Sequence, residues 1–104
     1  MQGLQAAWRH EASVRLEGYL FAIFFPLGLW LGNGPIEKSI LCGSLILVLS
    51  AELLNSAIEA ITDKASPEFH ELAGRAKDMG SAAVLLSFVL LGTVWLLILS
   101  DPGH

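Results

Sequence analysis

The chain has 104 residues, room for one domain, and is 54% hydrophobic against 15% charged, far to the apolar side of an average soluble domain. A formal net charge of −4, with no basic run, excludes the electrostatic footprint of a nucleic-acid binder. A single cysteine, Cys42, excludes an intrachain disulfide framework and a cysteine-rich metal site, and inside its apolar segment it reads as a small buried hydrophobe.

The first stretch, "MQGLQAAWRHEASVRLE", is polar and amphipathic, and residues 1–16 read as an interfacial arm rather than a cleavable signal peptide. "GYLFAIFFPLGLWLG" follows and predicts a first membrane span over 17–33, short enough to need tilt or local thinning, with Pro26 tolerated if neighbouring helices repair the ladder. After the "NGPIEK" turn, a second span is predicted over 38–62. The segment 66–77 reads as a cytoplasmic turn and helix start, with Ser66 as N-cap and Pro67 in the first turn. "MGSAAVLLSFVLLGTVWLLILS" is the third span, 78–100. A soluble bundle would need a polar face on every helix, and this last segment has almost none.

Orientation follows from the cations. Arg9, Arg15, Lys64, Arg75 and Lys77 flank the arm and the 62–78 loop, whereas Lys38 stands alone on the other side. The positive-inside rule therefore puts the N-terminus and that loop in the cytoplasm and the C-terminus outside. Trp30 and Trp95 at one interface and Tyr19 near the other fit an aromatic belt.

The second span carries an anomaly in "AELLNSAIEAITDK". An acidic side chain near mid-bilayer costs about 2.5–3.5 kcal/mol, yet this span carries Glu52 and, two turns nearer the cytoplasmic surface, Glu59. At 100° per residue, Glu52, Asn55, Glu59 and Asp63 share one helix face, so the stripe must turn towards protein, water or ions. Downstream, Glu71, Arg75, Lys77 and Asp78 cluster where the third span begins, and Glu11, Arg15 and Glu17 cluster on the arm. Hard oxygen ligands beside a lysine at a membrane surface have the composition of a magnesium–nucleotide site, although no GxxxxGK[ST] loop and no protein-kinase motif is present. The small residues Gly74, Ala76 and Gly80 to Ala83 read as helix-packing positions. Composition and spacing alone thus reach an oligomeric three-span protein with a cation or phosphate site. Enzyme, ion-coupled transporter subunit and small cation channel all stay open at this point.

"AELLNSAIEAITDK" followed by "EFHELAGRAKDMGSAAV", with "GLQAAWRHEASVRLEG" upstream, closely resembles the prokaryotic integral-membrane diacylglycerol kinases. The resemblance runs from about residue 3 to the third span, and it implies an all-α integral membrane homotrimer. Each subunit would have three transmembrane helices and an N-terminal amphipathic surface helix, and active sites would be shared between subunits. The implied activity is transfer of the ATP γ-phosphate to the primary hydroxyl of diacylglycerol, with Mg²⁺, at the cytoplasmic face of the bacterial inner membrane. Carried over position by position, Glu52 matches the catalytic base and Asn55 an active-site polar residue. Glu11 and Glu59 match metal ligands that also touch the nucleotide, and Glu68, His70, Lys77 and Asp78 match nucleotide contacts. Lipid-substrate positions correspond to Gln5 to Trp8, Ser13 to Glu17 (Arg15 included), Trp30, Glu52 and Ser81. The family usually has a further N-terminal stretch with basic and aromatic residues, whereas this sequence starts almost at "GLQAAW". Undecaprenol kinase, a sibling with the same glutamate–asparagine core, is the alternative enzyme, and "AGRAKDMGSAAV" favours the diacylglycerol branch.

Overall fold

The structure, a computed structural model, describes residues 2–5, 12–62 and 70–104, with side chains for 2–5, 15–62 and 71–104. Residues 2–5 are helical and exposed. Three long helices follow: α1, Ala12–Leu31; α2, Gly34–Thr62; and α3, His70–Leu99. Among the described residues there is no strand. The expected Ser66–Pro67 cap lies outside the described residues.

The helices run past the spans expected of them. α1 starts at Ala12, so the end of the arm and the first apolar segment form one helix that continues through Pro26. α3 starts at His70 and carries the polar "HELAGRAKD" into its apolar part without a break. Gly74 and Gly80 are the only weak helix formers there, and a glycine costs only about 1 kcal/mol against alanine. α2 and α3, at 29 and 30 residues, are each about 45 Å long, against the roughly 30 Å of a hydrocarbon core.

α2 is the middle of the layer, and α1 and α3 both pack on it. Leu41, Cys42, Leu45, Val48 and Ala51 of α2 form the buried core, with Leu41 fully enclosed. α1 comes close because Gly28 has no side chain: a Cβ there would meet Cys42 Sγ, Leu41 Cβ and Trp95 at 3.3–3.5 Å. At that level α1 also touches α3, where Phe24 and Trp95 stack edge to face at 5.9 Å. The turn between α1 and α2 needs Gly34, whose φ of 86° lies in the left-handed region. The Asn33 amide then donates to Glu37 Oε1 at 2.9 Å, capping α2. His104 Nε2 reaches the same Glu37 oxygen at 3.4 Å, so the C-terminus and the "NGPIEK" turn occupy one end of the molecule.

Trp95, expected in an aromatic belt, is also tied to α2. Its indole N–H lies 3.2 Å from both Leu41 O and Ser44 Oγ, and Ser44 Oγ donates to Leu41 O at 2.7 Å. Half-buried between helices, the indole finds two acceptors there. Trp30, by contrast, is 78% exposed. Trp95→Phe keeps most of the packing and removes the donor. It is expected to lower the unfolding free energy in mixed micelles by about 1 kcal/mol, the scale of one interhelical hydrogen bond.

What the fold leaves uncovered is as informative as its core. Leu85, Leu86, Leu96 and Leu97 of α3 are each more than 60% exposed, with Ile23, Leu54 and Ile61 on the other helices. A soluble domain cannot show water a helix that is apolar nearly all round. α2 and α3 are both long and apolar enough to cross a bilayer, and this is a membrane protein's surface.

Candidate functional site

The polar stripe of α2 lies where α1 and α3 flank it. Glu52, Asn55 and Glu59 are all half-buried. Asn55 Nδ2 donates to Glu59 Oε1 at 3.2 Å, a natural pairing for residues one turn apart. The amide nitrogen thus faces Glu59 and the amide oxygen faces away from it. That oxygen, Asn55 Oδ1, is buried, accepts no hydrogen bond and abuts Gly80 of α3. Glu52 lies within electrostatic reach of Glu59 on one side and of Glu17, from α1, on the other. Two helices thus bring three carboxylates into one region, where like charges repel and a cation is attracted.

A groove of about 400 Å³ leads to this region. Its walls are Leu20, Phe21 and Phe24 of α1, Leu45, Val48 and Leu49 of α2, and Phe88, Leu91 and Trp95 of α3, and Glu17 is its one charged lining residue. Glu52 continues the α2 face that Val48 and Leu49 present, one turn further on. The arrangement is an apolar trough with carboxylates at one end.

Other expected site residues are placed as follows. Lys77 is half-buried, and Asp78 and Ser81 are exposed, all within a turn of Gly80 on α3. Arg15 and Glu17 share the start of α1, both half-buried. Glu71 pairs with Arg75 at 3.2 Å with both side chains well exposed, a surface pair of little energetic weight. Gln5 is exposed, and Trp30 stands about 20 Å from Glu17 along α1, so the structure does not bring it to the carboxylates. Trp8, Glu11 and Glu68 lie outside the described residues, as do the side chains of Ser13 and His70. Sequence reasoning treats Gly80 as one of several packing residues, and only the register of α2 on α3 singles it out.

The family model for prokaryotic diacylglycerol kinase matches residues 1–99, nearly the whole chain and all three helices. The chain belongs to the prokaryotic diacylglycerol kinase family. Among its relatives, the diacylglycerol kinase of Escherichia coli K12 is 45% identical over 98 residues, covering 94% of this chain and 80% of that protein. The Haemophilus influenzae diacylglycerol kinase is 44% identical over 95 residues (91% and 80% of the two chains), and that of Helicobacter pylori 26695 is 36% identical over 93 (89% and 73%). A kinase of this family takes a nucleotide as its phosphate donor, and such chemistry commonly involves a divalent cation. Among the described residues no three His, Cys, Asp or Glu side chains come together to hold a metal by themselves. Magnesium, however, is usually held by one or two carboxylates plus phosphate oxygens. Glu59, whose carboxylate receives the Asn55 amide, supplies a hard oxygen of that kind, so the donor set fits.

Proposed function

We propose that the chain transfers the γ-phosphate of ATP to the primary hydroxyl of diacylglycerol, yielding phosphatidic acid at the cytoplasmic face of the bacterial inner membrane. Membership of the family makes it a diacylglycerol kinase. The observation that carries the finer reading is the apolar trough ending in Glu17, with Glu52 beyond it. An acyl chain needs an apolar groove, and its glycerol hydroxyl must then meet a base near headgroup level. Glu52 sits about 10 Å deeper along α2 than Glu59, which suits a base acting on lipid and a ligand acting on phosphate.

In this reading Glu52 accepts the proton of the lipid hydroxyl, and Asn55 holds the Glu59 carboxylate in place. Glu11 and Glu59 hold Mg²⁺, which when bound offsets charge on the phosphate oxygens. Lys77 adds positive charge there, and Glu68, His70 and Asp78 contact the nucleotide. Gln5, Trp8, Ser13, Arg15, Glu17, Trp30 and Ser81 contact the lipid.

The subunit would cross the bilayer three times, on α1, α2 and α3, with residues 1–16 contributing a surface helix and the N-terminus and 62–78 loop cytoplasmic. One layer of three helices leaves the polar stripe open on a side, so three copies would pack to close each site. Native mass spectrometry in mild detergent is expected to show an active trimer. A fully active monomer rules out the composite site. The activity itself is read by supplying radiolabelled ATP with diacylglycerol and undecaprenol in parallel micelles. Diacylglycerol is expected to take the label; preferential labelling of undecaprenol makes this the sibling enzyme, and labelling of neither returns the carboxylates to ion transport.

A further inference from the structure

We infer that Gly80 is a positioning residue for the reaction: its bare Cα sets the direction of the Asn55 amide, and through it the Glu59 carboxylate. The inference deepens the proposed function and rests on its reading of Glu59 as a metal ligand.

Gly80 is buried in the α2–α3 seam. A Cβ placed on it would run into Asn55 Oδ1 and lie 3.3 Å from Asn55 Cγ and 3.4 Å from Ile58 Cδ1. The obstructed atom is the terminal oxygen of the Asn55 side chain, so it is the amide rather than the backbone that must give way. That oxygen accepts no hydrogen bond, so its place is set by the shape of the seam and by the bond at the other end of the amide. A buried amide oxygen without an acceptor role is costly, and the cost is tolerated only if the other end of the amide is needed. The other end is Nδ2, 3.2 Å from Glu59 Oε1.

The amide has two ways to escape a methyl group at position 80. Turning about its terminal torsion moves Nδ2 off the carboxylate, and swinging the whole side chain breaks the same bond. Either leaves Glu59 free to rotate away from the position in which it meets the ion. The neighbouring Ala82 and Ala83 are exposed, and a methyl group there meets no such constraint. The structure thus separates Gly80 from the packing run in which the sequence embeds it.

The test is a cycle of Gly80→Ala, Asn55→Ala and the double variant, purified as trimers in detergent. Three quantities are read: melting temperature with and without Mg²⁺ and a non-hydrolysable ATP analogue, the Mg²⁺ concentration for half-maximal rate, and the half-saturating diacylglycerol concentration. Gly80→Ala is expected to raise the Mg²⁺ requirement by about tenfold, the scale of one lost hydrogen bond to a charged group. The diacylglycerol value should stay put, a split that loosened helix packing alone would not produce. The Mg²⁺-dependent rise in melting temperature should shrink in parallel. Because both substitutions act through one amide, the double variant should be no worse than Asn55→Ala alone. Defects that multiply overturn the inference, as does an unchanged Mg²⁺ requirement in Gly80→Ala where Asn55→Ala moves it. If Gly80→Ala does not assemble, the double variant still decides. Restored assembly on removing the Asn55 side chain supports the clash, and continued failure overturns it. Glu59→Gln run alongside keeps the two readings apart: an unmoved Mg²⁺ titration there defeats the metal role of Glu59, while the cycle still judges Gly80.

Discussion

Glu52→Gln is expected to lower kcat by about 10²–10⁴-fold, the range general-base catalysis contributes, while the protein assembles and binds Mg·ATP as before. Glutamine keeps the shape of the side chain and loses the ability to take a proton. Stability should hold or rise, because the substitution replaces a half-buried carboxyl that has Glu17 and Glu59 as electrostatic neighbours. A purely structural Glu52 predicts the opposite pattern, with poor assembly and full activity per folded trimer. The measurement is kcat in mixed micelles set beside melting temperature and nucleotide affinity. Retention of more than about a tenth of wild-type kcat, well outside that range, removes Glu52 from the role of base.

The carboxylate stripe is legible in the amino-acid sequence because its context is so unfavourable. Two glutamates within an apolar run have few explanations, and helical spacing alone puts them with Asn55 on one face. The helical character of the whole chain is legible for the same reason, since apolar runs of that length have little other use. Spacing within one helix says nothing, however, about what approaches that face. That Glu17 of α1 comes within electrostatic reach of Glu52 depends on how α1 packs on α2, which the clustering of Glu11, Arg15 and Glu17 along the arm does not show. Trp95 shows the limit most plainly. A tryptophan near the end of an apolar span reads as a belt residue, and only the carbonyl of Leu41 and hydroxyl of Ser44, more than fifty residues away, draw it inwards. Gly80 is similar: in a run of small residues any one could be the contact, and the register of α3 against Asn55 chooses. The continuity of α1 and α3 from polar into apolar sequence is hidden because no breaker separates the two parts.

The second large effect concerns the metal. Glu11→Gln and Glu59→Gln are each expected to raise the Mg²⁺ concentration needed for half-maximal rate by about tenfold or more, since each removes a charged ligand from a hard cation. Glu59 is anchored, with its Oε1 receiving the Asn55 amide, so its loss should also disturb the seam and cost some stability. Loss of Glu11, read as a ligand only, should affect Mg²⁺ alone. If both carboxylates hold one ion, the site that lacks one has already lost most of what the other can supply, so the double variant should fall short of the product of the two single effects. The check is a Mg²⁺ titration of all four proteins at saturating ATP and diacylglycerol, repeated with Mn²⁺, which binds such oxygen sites more readily. Partial recovery of the single variants in Mn²⁺ would place the defect at the ion rather than at the nucleotide. Fully multiplicative effects, with the Glu11→Gln titration unmoved, would make Glu11 a surface charge at the membrane and leave Glu59 to hold the ion with the phosphates alone.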